Sequence, residues 1–365
     1  MSGGSATAGN DPQAAQAPSQ QGEGHLLGGH AARMWDAGMG RRPKGKKGRK
    51  GDSNAVVPEA EFKSYYGRQI LKTPVWEHHI AWYLFTGGLA AGSSLLAVVA
   101  DLRGEQTARR NLRVTALGAV SASAFFLIDD LGRPERFHHM LRVAKITSPM
   151  SVGTWILTAY GPCAGAAGVA EFTAVLPQRG LWGLVRRIAG PGARVAGLGA
   201  AVFAPWLATY TAVLLADTAV PSWNAPYREL PFLFGGSALA ASAGVALLTC
   251  PTAQTGPARK VAVGGAVAEL IAGHRMEHGH GLVSEPFHEG RAGQLLRAAR
   301  ICTVAGAVGA VLGRRSRLVS ALAGLSLAAG SALTRHGVFE AGVHSTQDPK
   351  YVVVPQRERM ATSTP

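Results

Sequence analysis

The stretch IAWYLFTGGLAAGSSLLAVVA, residues 80–100, contains no Asp, Glu, Lys or Arg. About 20 mostly apolar residues in a helix suffice to cross the hydrocarbon core of a bilayer, so this segment reads as a membrane span. The same test finds spans at 146–170, 195–216 and 230–258. Residues 114–128 are fewer, but Arg113 before them can snorkel and Asp129 after them can sit at the interface, which makes a fifth span. Windows 261–273 (interrupted by Glu269), 301–313 and 318–334 bring the expected number to about eight. The fold class that follows is all-α: a polytopic membrane helical bundle.

Composition agrees once the charges are located. Only 16% of the 365 residues are charged, against about a quarter in ordinary globular domains, and the windows account for the deficit. Residues 41–50 (RRPKGKKGRK) alone supply seven of the 37 Lys and Arg. A net charge of +15 could by itself suggest a nucleic-acid partner, but its distribution argues against one and for the lipid bilayer. Residues 1–60 lack apolar periodicity and are expected to form a disordered basic tail. The bundle is expected over 61–340 and an extramembrane tail over 341–365. A cleavable signal peptide needs an apolar run directly after its basic stretch; here mostly polar residues separate Lys50 from Ile80, so the first span reads as a retained anchor.

The spans are rich in Gly and Ala, as in GGLAAGSS from Gly87. Small residues let helix backbones approach closely in lipid, although compositional bias would give much the same pattern. Cys163, Cys250 and Cys302 lie one in each of three spans without paired spacing and read as packing residues.

Eight spans put both chain ends and the loops after spans two, four and six on one face, termed A. All twelve histidines then fall on face A or at its boundary: His25, His30, His78, His79, His138, His139, His274, His278, His280, His288, His336 and His344. Trp76, Trp155 and Trp223 lie near the same boundary, where indole rings favour the interface. Face B has short basic loops carrying Arg103, Arg109, Arg110, Arg113, Arg179, Arg186, Arg187, Arg194, Arg259, Lys260, Arg314, Arg315 and Arg317. The positive-inside rule makes face B cytoplasmic and puts the termini outside the cell membrane. The basic run at 41–50 argues the opposite but lies far from the first span, where the rule fades.

The richest polar segments are DLGRPERF (130–137) and SPMSVGTW (148–155). Asp129, Asp130, Arg133 and Arg136 so close to a span suggest ion pairs at a cavity rim, with the arginines lowering the carboxyl pKa values. Asp217 follows Tyr210 by seven residues, about two helical turns and roughly 10 Å of rise, on one helix face. Ionisable groups inside spans are functional candidates, so Asp129, Asp130, Asp217 and the more isolated Glu269 are candidate proton carriers. His274 and His278 have the i, i+4 spacing that suits zinc. No cysteine or fixed carboxylate completes the set, and the loop reads as a solvated partner contact with no metal.

The HIAWYLFTGG segment from His79, the two loop motifs and YTAVLLADTAVPSW from Tyr210 together resemble the NrfD/PsrC family of polysulfide-reductase-type integral membrane subunits. The resemblance covers roughly residues 65–250; the later spans match by topology only, and the polar tail and the histidine-rich loop depart from the short forms of the family. It implies an eight-helix anchor of two four-helix-bundle-like halves that binds a quinone, menaquinone or one like it. Electrons would pass between that quinone and a ferredoxin-like iron–sulfur subunit, itself beside a molybdopterin-type catalytic subunit. A formate dehydrogenase-type partner and a polysulfide or other oxyanion reductase are both compatible. By the family's quinone pocket, Tyr210 and His78 or His79 would contact the quinone carbonyls, and no haem or iron–sulfur cluster would reside in this chain. Two rival readings are a proton or small-solute transporter, suggested by Asp217 and Glu269, and a passive anchor without quinone chemistry.

Overall fold

The computed structural model describes residues 68–175 and 180–363. The expected N-terminal tail with its basic run, His25, His30 and Arg179 lie outside the described residues. Eight long helices follow one another: α1 His78–Leu102, α2 Gln106–Asp129, α3 Pro149–Ala170, α4 Gly180–Ala216, α5 Leu230–Thr249, α6 Gly256–His278, α7 Gly290–Leu312 and α8 Arg317–Gln347. A further helix, α9, spans Lys350–Ser363. Each of the eight long helices contains most or all of one expected span, and the described residues form no strand.

Packing divides the bundle as the resemblance implied. Helices α1 to α4 pack around one another, α5 to α8 do the same, and α1 and α4 against α5 join the halves. Large apolar side chains such as Phe125, Val202, Trp206, Phe232, Ile301 and Leu322 point outward, whereas Ser93, Ser237, Ser242 and Ser331 are buried. That inversion suits a lipid solvent. Six of the described helices are long and apolar enough to cross a membrane. The other two long helices, α3 and α6, have 22 and 23 residues. Charge dilutes α6, yet its Arg259, Glu269 and Glu277 are buried against protein.

Close backbone approach explains the glycines in the second half. A Cβ on Gly236 would sit 2.9 Å from the Gly265 carbonyl oxygen across α5 and α6, and one on Gly244 only 2.5 Å from the Gly324 carbonyl oxygen across α5 and α8. Both distances are below ordinary van der Waals contact, so a side chain would push the helices apart. Glycine lets their backbones touch.

Several helix boundaries differ from the charge-free windows. Window 230–258 joins two helices: α5 ends at Thr249, and α6 begins at Gly256. Pro251 restricts Cys250 to an extended conformation (ψ 152°), which ends α5. Charged residues truncated other windows; α6 and α7 begin before Val261 and Ile301, and α8 continues past Thr334 to Gln347. His336 and His344 therefore lie within α8, not beyond it. Trp223 was expected at a lipid interface but is fully buried. Its indole N–H donates to the Val338 carbonyl (2.8 Å) and its ring stacks on Trp76.

Candidate functional site

A cleft of about 880 Å³ opens between α3 and α4 near the histidine-bearing end. Ile146 and Thr147 border it before α3, and Asn224 and Tyr227 border it beyond α4. Tyr210 and Asp217 both line it, as their seven-residue spacing on one helix led us to expect. The Tyr210 ring lies directly over Gly153 of α3, where any side chain would collide with it. The second loop motif thus contributes the glycine that admits the tyrosine. The Tyr210 hydroxyl is buried and has no hydrogen-bond partner among the described residues, an unsatisfied donor on a residue of the cleft wall. Tyr227 accepts a hydrogen bond from Arg228 Nε (2.9 Å) and keeps its own hydroxyl hydrogen to donate. A second, almost wholly apolar groove of about 290 Å³ shares Ile146, Val152, Ile156 and Trp206 with the cleft and continues over Trp155 and Phe203.

The two loop motifs are joined through the segment between them. Ser151 Oγ donates to the Val143 carbonyl (2.9 Å) and accepts from the Lys145 N–H (3.0 Å), while Trp155 Nε1 donates to Val143 (3.3 Å). Arg133 and Arg136 are exposed on this loop and form no ion pair with Asp129 or Asp130. The expected lowering of the carboxyl pKa values by these arginines is not what the structure shows: burial holds Asp130 above the ordinary carboxylate range. Asp130 Oδ1 accepts from the Glu77 N–H (3.2 Å).

Asp129 instead pairs with His79 (Nδ1 to Oδ2, 2.8 Å), joining the end of α2 to the start of α1. His78 turns toward α8, 3.7 Å from Glu340. The adjacent histidines thus serve different helices, and neither lines the Tyr210 cleft. In the second half, Glu269 is less isolated than its sequence position suggests. It accepts from Thr334 Oγ1 (2.6 Å) while its other oxygen has no hydrogen-bond partner among the described residues, and it interacts electrostatically with Arg335. Arg335 is fully buried. Its Nη2 donates to the Phe234 carbonyl (2.7 Å), its guanidinium lies 3.7 Å from the centre of the Phe234 ring, and Nε and Nη1 find no hydrogen-bond acceptor among the described residues. Sequence reading missed Arg335 because the charge-free window stops one residue before it. A small cavity of about 20 Å³ adjoins Glu269, Thr303 and Thr334 and extends toward Glu277 and Arg300 near face A. That is room for about one water.

The histidine-rich connection after α6 is not simply solvated, because Val283, Ser284, Pro286 and Phe287 are buried in a 3-10 segment, Gly281–Phe287. His280 lies 3.4 Å from Glu229.

An apolar-surfaced bundle of long helices with a cleft at one end defines an integral membrane protein. The chain belongs to the NrfD family: the family model described as "Polysulphide reductase, NrfD" matches residues 69–263. It is also similar to the C subunit of polysulfide reductase from Wolinella succinogenes, with 31% identity over 174 residues, 45% of this chain and 55% of that protein. The match thus spans only about half the length of that curated relative.

Proposed function

We propose that this chain is the quinone-reactive membrane subunit of a multi-subunit oxidoreductase in the plasma membrane. It exchanges electrons between menaquinone or a similar quinone and an iron–sulfur subunit docked on face A, beside a molybdopterin-type catalytic subunit. One observation carries the reading: a cleft of about 880 Å³, within the volume range of small-molecule sites, is lined by Tyr210, whose buried hydroxyl has no partner among the described residues. Family membership and the likeness to a polysulfide reductase subunit support it.

In this reading the quinone head enters the cleft, the Tyr210 hydroxyl donates to one carbonyl oxygen, and the apolar groove over Trp155 and Phe203 takes the tail. Two-electron reduction also consumes two protons. Asp217 at the cleft supplies one route. The His79–Asp129 pair, with Asp130 beside it, supplies a second relay at the same membrane face. Glu269 serves a separate proton path through the second half. His336, the histidine deepest in a helix, donates from Nδ1 to the Ala332 carbonyl in its own preceding turn (2.9 Å) and meets the edge of Trp82. In this reading the chain carries no haem of its own, and electrons enter and leave through the docked iron–sulfur subunit. The basic loops of face B support an orientation with both termini outside the cell.

Binding of a quinone analogue to purified protein tests the site. Tyr210→Phe is expected to weaken it by about tenfold, the value of one hydrogen bond, and His79→Ala to weaken it less. Unchanged binding in both variants would overturn the site; absence of any binding would favour a passive anchor or a transporter. Co-purification with iron- and molybdenum-containing partners tests the complex.

A further inference from the structure

The junction between α6 and α7 brings together groups that the quinone chemistry does not use. One potential ligand atom from each of Glu277, His278 and His288 lies within 4.8 Å of the other two. Spacing alone hid this set, since Glu277 and His278 are sequence neighbours and His288 returns from the far side of the 3-10 segment. Here is the carboxylate that the sequence reading found lacking.

The hydrogen bonds around these side chains leave each of them one free ligand atom. His278 Nδ1 lies 3.0 Å from the His274 carbonyl oxygen, and His288 Nε2 lies 3.0 Å from the Glu277 carbonyl oxygen. A carbonyl only accepts, so each of these nitrogens carries the hydrogen and the other ring nitrogen keeps its lone pair. Backbone carbonyls orient metal-binding histidines in this way. The Glu277 side chain is buried, and Arg300 Nη1 holds its Oε2 at 2.8 Å, which fixes the carboxylate and leaves Oε1. Both imidazoles are exposed and can pivot the short distance to the roughly 3.3 Å ligand separation of a tetrahedral zinc ion.

We infer that Glu277, His278 and His288 bind one divalent transition-metal ion, zinc by the chemistry of two imidazoles and a carboxylate, with water in the fourth position. The ion would clamp the end of α6 to the entry of α7 on face A. Its role is structural: it fixes the loop conformation that the histidine-bearing face presents.

Untagged full-length protein in detergent, stripped of metal, is titrated with Co²⁺ and then Zn²⁺. The expected result is one ion per chain, with the visible absorption of four-coordinate Co²⁺ bleached by Zn²⁺. His278→Ala, His288→Ala and the isosteric Glu277→Gln should each weaken binding at least about tenfold. A variant with both His138→Ala and His139→Ala, which removes a comparably close pair of rings (4.4 Å), should bind as the parent does. The inference is overturned if no saturable binding occurs, if the surface-exposed His278 and His288 variants retain parental affinity, or if the control loses as much as they do.

Discussion

The two halves of the bundle treat polar groups in opposite ways. In α1–α4, Tyr210 and Asp217 face a cleft and the His79–Asp129 pair sits at a helix end. In α5–α8, Glu269 and Arg335 are enclosed where glycines hold the helices in backbone contact. The first half leaves space for a ligand to satisfy a donor. In the second, the cavity beside Glu269 has room for about one water, and one Glu269 oxygen and Arg335 Nε and Nη1 stay without hydrogen-bond partners among the described residues. An open cleft and close backbone packing are thus divided between halves of one chain.

The largest expected effect lies in the second half. Arg335→Met removes the cation that acts on the buried Glu269 from beyond ion-pair distance and is expected to cost roughly 3–5 kcal/mol, the range for leaving a buried charge uncompensated, read by thermal or denaturant unfolding in detergent. Combining it with Glu269→Gln should restore part of that loss; strict additivity of the two single changes would show that the groups do not form one unit. Next is Gly244→Leu, expected to cost about 3 kcal/mol by forcing α5 from α8. Gly165→Leu on α3, where nothing lies within 4 Å, should stay within about 0.5 kcal/mol. Equal losses would dissolve the contrast in packing. Tyr210→Phe sharpens it differently: removing an unpartnered hydroxyl should change stability by less than about 0.5 kcal/mol, while analogue binding falls.

The smallest effect concerns pH at the C-terminal helix. Lys350 Nζ lies 2.8 Å from Glu285 Oε2, and that contact holds the Glu285 carboxyl below the ordinary range. A depressed carboxyl stabilises the fold above its unfolded pKa and ceases to do so as pH falls through the folded value. Proteolysis of α9 should therefore increase only at acid pH, and Glu285→Gln should abolish that dependence.

The helices were legible because lipid demands long uncharged runs, and Tyr210 with Asp217 was legible because seven residues return a helix to the same face. The remainder depended on partners distant in sequence. A test that treats charge as the edge of a span stopped before Arg335 and excluded Arg113, Arg259 and Glu277, all of them buried. Arg113 meets Glu171 (2.8 Å), and Arg259 meets the Gly313 carbonyl (3.1 Å) and Ser320 (3.2 Å). None of these partners is near in sequence. Likewise Asp129 found His79 rather than the nearby arginines, because Arg133 and Arg136 remain in solvent.

The partners of Arg259 also bear on biogenesis. The carbonyls of Ala310 and Gly313 and the hydroxyl of Ser320 become available only after α7 has been synthesised. Until then α6 would present Glu269, close to its middle, to the bilayer, at about 2.5–3.5 kcal/mol for a charge near the centre of a span, and would leave Arg259 in its first turn without these partners. Helix α6 is therefore expected to wait at the translocon for its successor, and the second half to enter the membrane as a group, not helix by helix.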